Sequence, residues 1–254
     1  MSPTNAENMP TRAVVLTAGR GTRLRPLTET VPKCMVPLSG KPLLEHTVER
    51  LRGYGVTQLS VNLHYLPEIV PAYFGWGGRW GVQITYLRED ELLGTAGSVK
   101  KMAADFDRPF FVWYGDNLSS CRLDLLWRQH FEKGADVTVA LHEREDPTQS
   151  GIVGLDGEGR ITRFLEKPRP EQVFSHLVSA GIFVLNPSVL DAIPAEGASD
   201  FGRDIFPRLL AEGARLYGYR MGEGEGLWWI DTPSDLQRVQ ATLERGSTGV
   251  VTQG

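Results

Sequence analysis

AVVLTAGRGTRLRPLTETVPKCMVPL, Ala13 to Leu38, is the stretch on which the reading of this chain turns. Ala13 to Leu16 is a short apolar run suited to a buried strand. Gly19 and Gly21 then let the backbone turn tightly, with its N–H groups available to an anion. From Gly19 to Lys33 the charged residues are Arg20, Arg23, Arg25 and Lys33 against a single Glu29, a local excess of three positive charges. The whole chain of 254 residues carries a formal −4. An acidic protein that gathers cations in one loop directs them at a particular anion, because its overall charge repels anions. A charge-assisted contact to a phosphate oxygen is worth ~1.5–3 kcal/mol when partly desolvated. The stretch predicts a polyphosphate site, with a solvated basic loop as the plainer alternative.

Two well-known phosphate loops do not match. A dinucleotide fingerprint needs a third glycine opening a helix, but Leu24 stands three residues after Gly21, and Pro26 and Pro32 follow where that helix would run. A Walker loop needs Gly-Lys-Ser/Thr, and Gly21-Thr22-Arg23 is not that.

At 41% hydrophobic and 23% charged residues the composition is that of a globular protein. One domain is expected over 12–245, with flexible tails at 1–11 and 246–254. No apolar run approaches the ~18 residues a membrane-crossing helix needs, and Met1 to Thr11 lacks the basic start and apolar core of a signal peptide. A cytoplasmic protein without a membrane partner is expected. Cys34 and Cys121 have no C-x-x-C spacing, and His46, His64, His130, His142 and His176 are scattered, so neither a disulfide framework nor a zinc site is indicated. Net charge argues against a nucleic-acid groove.

Beyond the loop, strand-like and helix-like segments alternate, which predicts a three-layer α/β core with a mostly parallel sheet. Helices are expected over Leu43–Leu51, Leu66–Phe74, Ala96–Ala104 and Leu123–Glu132, between strands over Gln58–Leu63, Val82–Leu87, Pro109–Tyr114 and Asp136–Leu141. From about Gly151 the strands crowd closer, with a turn at Asp156-Gly157-Glu158-Gly159, before helices over Gly202–Glu212 and Pro233–Arg245. No internal repeat is visible.

Two carboxylates follow aromatic strands. Asp116 comes after Phe110–Tyr114 and Gly115, at the strand edge where open α/β sheets bind ligands, and is a first ligand for a hard cation such as Mg²⁺ or one half of an ordinary Asp-Asn turn. Asp231 comes after Gly226–Ile230. Thr232, Pro233 and Asp235 already supply an N-cap, N1 and a residue near N3, so Asp231 is either a metal ligand or a polar strand end. The small residues Gly94 to Gly97 let a flat base approach the backbone, or simply open a helix capped by Thr95. Glu166-Lys167-Pro168 pairs a hydroxyl acceptor with a phosphate donor, although the tripeptide is common on surfaces. Gly181 permits close backbone approach to a ligand or a neighbouring strand.

Together these pieces resemble the sugar-1-phosphate nucleotidyltransferases, or NDP-sugar pyrophosphorylases, over Arg12 to Arg245. The signature glycine-x-glycine-Thr-Arg-Leu-x-Pro, with a lysine ten residues after the arginine, stands here as Gly19 to Pro26 and Lys33. The resemblance implies a Rossmann-like core of the GT-A type with a mixed, mostly parallel sheet. It also implies a transferase of the EC 2.7.7 type, in which a sugar 1-phosphate attacks the α-phosphorus of a nucleoside triphosphate. By that resemblance Arg23 and Lys33 clamp the triphosphate, and Asp116 and Asp231 hold Mg²⁺, with Mn²⁺ as substitute. Leu16, Ala18, Gly19, Gly21 and Thr22 line the nucleotide, with Gly94 and Thr95 beside the base. Lys167 takes the sugar phosphate, with Glu166, Gly151 and Gly181 on the sugar. Leu93 to Gly97 is most like guanylyltransferases for mannose- or heptose-1-phosphate, which implies GTP. Asn117 is closer to the thymidylyltransferase pattern, and Asp231 runs straight into Thr232-Pro233 where the family usually has Gly-Thr before the proline. Thymidylyl or uridylyl transfer, a cyclitol-phosphate guanylyltransferase and a non-catalytic nucleotide-sugar-binding paralogue are the alternatives, and a homo-oligomer is left open.

Overall fold

A computed structural model describes residues 9–244. Residues 1–8 of the tail expected over 1–11, the tail expected over 246–254, and Arg245 at the end of the expected domain lie outside the described residues. Residues 9–11 are described and are not a free tail: Pro10 is buried, and the Thr11 carbonyl accepts the N–H groups of Thr57 and Gln58 at 2.9 and 3.0 Å. In chain order the elements are β1 (Arg12–Leu16), β2 (Pro37–Leu38), β3 (Lys41–Pro42), α1 (Leu43–Gly53), β4 (Gln58–Leu63), α2 (Ile69–Phe74) and β5 (Gln83–Arg88). Then come α3 (Gly94–Met102), β6 (Phe110–Tyr114), β7 (Asn117–Ser119), α4 (Leu123–Glu132), β8 (Val137–Glu143), β9 (Gly151–Leu155) and β10 (Ile161–Glu166). The last are β11 (Leu177–Leu185), α5 (Phe206–Ala211), β12 (Leu216–Arg220), β13 (Leu227–Trp229) and α6 (Pro233–Glu244).

These elements fall into two compact units. The loop unit holds residues 11–92, 113–121 and 222 onward, and the antiparallel unit holds 93–112 and 122–221.

In the loop unit β1, β4 and β5 form parallel ladders, Arg12 opposite Gln58 and Gln58 opposite Gln83 at their starts. Val14 and Val15 are fully buried, as a strand covered on both faces requires. The helical stripe Leu43, Leu44, Thr47, Val48 and Leu51 is the buried face of α1. That helix runs through Gly53, and Gly55, at φ +83°, donates its N–H to the Arg52 carbonyl as the chain turns away. α2 starts at Ile69 and not at Leu66, because Leu66 precedes Pro67 and sits at φ +47°, outside the helical region. β13 pairs antiparallel with β7, Trp229 opposite Asn117. A core of Leu24, Val36, Leu38, Leu43, Leu118, Ile230 and Val239 joins the basic loop, α1 and α6.

In the antiparallel unit β8 pairs antiparallel with β11 and parallel with β12, while β9 pairs antiparallel with both β10 and β11. The ladders of both senses make the sheet mixed and the fold α/β. The turn at 156–159 forms as the sequence predicts, with the Asp156 carboxylate accepting the N–H groups of Glu158 and Arg160 at 2.9 Å each. Phe164, Phe183, Phe201 and Phe206 pack with ring centroids 4.9–5.5 Å apart. The helix expected over Gly202–Glu212 divides into a π-helical turn, Phe201–Ile205, and α5. Pro207 has no N–H to continue an α-helical ladder at that junction, and the N–H of Ile205 reaches back to the Asp200 carbonyl at 3.2 Å. Among the described residues no helix is long and apolar enough to cross a membrane.

Candidate functional site

The basic loop leaves β1 anchored to the end of β4. The N–H of Thr17 donates to Asn62 Oδ1 at 2.6 Å and its hydroxyl donates to the Asn62 carbonyl. Asn62 in turn donates to the buried Glu89 at 2.8 Å. Thr22–Leu24 forms one 3₁₀ turn, and the fully buried Leu24 pins it to the core. Gly21 sits at φ +59°, where a Cβ would stand 2.8 Å from Lys33 Cβ and 3.1 Å from Thr28 Cγ2. A glycine is needed there so that the lysine stem can pass behind the loop.

Lys33 begins a 3₁₀ turn whose three residues, with Cys34 and Met35, are all buried. Its side chain is 8% exposed, and its Nζ lies 3.0 Å from Asp116 Oδ2 and 2.8 Å from Asp231 Oδ1. Arg23, at 61% exposure, reaches the same Asp231 oxygen at 3.1 Å. Burial alone would lower the Lys33 pKa, but the two carboxylates outweigh it and hold the ammonium above the ordinary lysine value. Beside it, burial pushes the Cys34 thiol up to about 12, so that sulfur is inert.

Each carboxylate is delivered by a local device. Gly115 donates its N–H to the Leu16 carbonyl at 2.9 Å, and a Cβ there would meet Thr17 Cγ2 at 2.9 Å. This close approach sets Asp116 against the loop. Asp231 follows the fully buried Ile230. A reciprocal capping box holds the next turn: Thr232 N–H donates to Asp235 Oδ2 at 3.0 Å and Asp235 N–H donates to Thr232 Oγ1 at 3.2 Å. Asp231 N–H also points at Asp235 Oδ2, at 3.3 Å. The shortened turn after Asp231 is therefore fixed by the start of α6. Gly19, Gly21, Thr22, Arg23, Lys33, Asp116 and Asp231 line one cleft.

The donor set suits a hard dication. Asp116 and Asp231 both touch one ammonium nitrogen, so their oxygens converge on a point the size of a single cation. Two carboxylates completed by phosphate oxygens are an ordinary Mg²⁺ environment.

The antiparallel unit carries the other expected residues. Thr95 is not the cap of α3. The Asp200 carboxylate takes that role, accepting the Thr95 N–H at 3.2 Å and its hydroxyl at 3.1 Å. The Ser199 carbonyl accepts the N–H groups of Ala96 and Gly97. Those N–H groups are already used within the protein, so the turn does not offer them to a ligand as the sequence reading expected. Gly94, at φ +72°, would carry a Cβ 2.4 Å from the Ser199 carbonyl oxygen, so this close contact requires glycine.

Glu166 ends β10. Burial raises its carboxyl pKa, more than the neighbouring Lys167 lowers it. A Cβ on Gly151 or Gly202 would come within 2.7 Å or 2.4 Å of its Oε2. Lys167 is exposed, at φ +46°, with its N–H donating to the Ser150 carbonyl at 3.1 Å. Gly181, at φ +68°, lies where the register of β11 on β8 shifts between Ser179 and Phe183.

Residues 12–245 match the family model described as nucleotidyl transferase. The chain belongs to the nucleotidyl transferase family. It is 38% identical over 238 residues to a mannose-1-phosphate guanylyltransferase of Mycobacterium tuberculosis, covering 92% of this chain and 65% of that protein. It is 36% identical over 251 residues to a UTP–glucose-1-phosphate uridylyltransferase of Synechocystis sp., covering 92% of this chain and 64% of that one. The chain thus spans just under two thirds of the length of these relatives. Its fold is that of a Bacillus anthracis protein provisionally assigned as a glucose-1-phosphate thymidylyltransferase, with a TM-score of 0.83, 24% identity, and coverage of 96% of this chain and 97% of that one.

In this nucleotidyl transferase family member the structure brings together Gly19, Gly21, Thr22, Arg23, Lys33, Asp116 and Asp231 of the sequence reading. Within the antiparallel unit it sets Gly151 against Glu166. Arg20 and Arg25 are exposed and form no ion pair among the described residues. Asp200 and Gly202 were not foreseen. The only sequence signal for them was Ser199-Asp200 ahead of a helix, which reads as a local cap and in fact serves a helix 105 residues earlier.

Proposed function

We propose that this chain is a sugar-1-phosphate nucleotidyltransferase that joins GTP and a sugar 1-phosphate into a GDP-sugar and pyrophosphate. The observation that carries the reading is the convergence of Arg23, Lys33, Asp116 and Asp231 on one cleft beside the glycine turn. In the reaction an ionised oxygen of the sugar phosphate forms a bond to the α-phosphorus. The bond from that phosphorus to the β-phosphate oxygen breaks, and pyrophosphate leaves with its electron pair. Such displacement asks the protein for positioning and charge stabilisation, with little covalent work.

Arg23 and Lys33 bind the triphosphate and stabilise the charge that builds on departing pyrophosphate. Asp116 and Asp231 would hold Mg²⁺, or Mn²⁺ in its place, which when bound would supply charge neutralisation on the reacting phosphates. The backbone from Leu16 through Ala18 and Gly19 to Thr22 lines the nucleotide, and Gly94 and Thr95 take the base. In the antiparallel unit Lys167 binds the incoming phosphate, and Glu166, with Gly151 and Gly181, takes the sugar hydroxyls. The choice of GTP is supported by the Leu93–Gly97 segment and by the guanylyltransferase relative. A cytoplasmic location accords with the absence of a membrane-crossing helix among the described residues.

Pyrophosphate release measured with GTP, dTTP, UTP, CTP and ATP against a panel of sugar and cyclitol 1-phosphates tests this. Fastest release with GTP is expected. Fastest release with UTP or dTTP replaces the guanylyl assignment with that base. No release from any pair, together with tight binding of a nucleotide sugar, refutes catalysis in favour of a regulatory binder.

A further inference from the structure

We infer that Lys33 acts as a built-in cation that keeps Asp116 and Asp231 closed to a bare divalent ion and yields them to an ion that arrives with a polyphosphate. The inference rests on the proposed role of those two carboxylates as metal ligands. It starts from charge balance. Arg23 and Lys33 bring two positive charges, Asp116 and Asp231 two negative ones, and the cluster is neutral without any ligand. The Lys33 ammonium already occupies the point on which the carboxylates converge, at 3.0 and 2.8 Å. A bare dication must either expel that ammonium or sit beside it, and like charges a few ångströms apart in a partly buried cleft repel strongly. Expelling it strands an ammonium whose side chain is 8% exposed, with no anion to receive it.

A triphosphate changes the balance. Its oxygens offer Lys33 and Arg23 partners at least as strong as the carboxylates, since charge-assisted bonds to phosphate are among the strongest available. The carboxylates then lose their cations at the moment a dication is delivered. The geometry suits a short transfer. The stem of Lys33 is fixed by its packing behind Gly21, where even one added carbon would stand 2.8 Å away. Only the outer torsions are left to move the ammonium. Arg23, at 61% exposure, can follow the phosphate freely. Loading of the metal is thus conditional on the anion, and Lys33 is the residue that imposes the condition.

Equilibrium dialysis of Mn²⁺ against the whole chain tests this without any nucleotide or sugar. The wild type is expected to retain Mn²⁺ at least tenfold more tightly with inorganic tripolyphosphate than without it. Lys33→Gln is expected to bind Mn²⁺ alone at least tenfold more tightly than the wild type does, and Mn²⁺ alone should raise its melting temperature while leaving that of the wild type unchanged. Equal affinity of the wild type for Mn²⁺ with and without tripolyphosphate overturns the inference, even if Lys33→Gln fails to fold. Equal affinity of the two proteins for Mn²⁺ alone overturns it as well, while leaving the metal site intact. Absence of Mn²⁺ binding in every arm instead removes the metal role of the two aspartates. A chain that shows no transferase turnover still gives one of these results.

Discussion

Replacing each carboxylate of the cleft in turn, as Asp231→Asn and Asp116→Asn, should cost unequal amounts of stability although both changes remove one unit of charge. Asp231 is 19% exposed and is the shorter partner of an ammonium that is 8% exposed. Breaking a fully buried pair costs ~3–5 kcal/mol. Here Lys33 keeps Asp116 at 3.0 Å, and the new amide oxygen can still accept a hydrogen bond, so about half of that, ~2 kcal/mol, is expected. The Arg23 contact, 61% exposed, adds only a few tenths of a kcal/mol, roughly the worth of a surface pair. Asp116 is 51% exposed, and its loss leaves Lys33 its closer partner, so Asp116→Asn should cost at most ~1 kcal/mol. For a chain of this size each kcal/mol is worth about 2–4 °C, giving a fall of roughly 4–8 °C for Asp231→Asn against roughly 1–4 °C for Asp116→Asn. Thermal and urea unfolding of the metal-free proteins, followed by circular dichroism, measure the difference. Both variants should lose metal-dependent turnover. An Asp116→Asn protein as destabilised as Asp231→Asn would refute the assignment of Asp231 as the principal anchor of Lys33.

The pH dependence of stability should carry the mark of His130, which is buried against Thr138 Oγ1 at 3.0 Å and Asn186 Oδ1 at 3.3 Å, with its pKa pushed down by burial to about 4. Between the ordinary value of 6.5 and about 4 the unfolded chain binds a proton that the folded chain refuses, so stability falls as pH drops through that window, by ~3 kcal/mol in all. Urea midpoints at pH 7 and pH 4.5 should differ by less in His130→Gln than in the wild type, and an unchanged difference would exclude this ring as the source. In Gly202→Ala the new Cβ would stand 2.4 Å from Glu166 Oε2 and force that carboxylate aside. The KM for sugar 1-phosphate should rise at least tenfold while the KM for nucleoside triphosphate stays within twofold, and a rise in the latter alone would count against Glu166 as the sugar-side group.

Local signals carried most of this fold. The strand at Gln58–Leu63 and the helix at Leu123–Glu132 fall where periodicity and turn residues put them, because both are set by which residues seek burial. Boundaries slipped where a proline acts on its neighbours, at Leu66 before Pro67 and at the π-helical turn ahead of Pro207. The cleft was legible because glycines, arginines and a lysine lie together in one loop and both carboxylates end aromatic strands. What the sequence did not show is how those groups pair. Lys33 reads as a free phosphate donor, and its burial between Asp116 and Asp231 depends on contacts across 83 and 198 residues. Asp200 escaped for the same reason. A carboxylate that caps a helix 105 residues away leaves no periodic trace near either position.

The separation of 198 residues between Lys33 and Asp231 also orders events during synthesis. On the ribosome the basic loop emerges long before its second carboxylate exists. An N-terminal fragment ending short of Asp231 presents Arg23 and Lys33 with half their counter-charge, an anion-seeking loop without its restraint. The Lys33–Asp231 pair cannot form until that carboxylate has been made, so the charged cluster is completed late in synthesis. Truncation ahead of Asp231, which also removes the start of α6 that holds its turn through Thr232 and Asp235, would leave Lys33 with Asp116 as its one remaining partner of the pair.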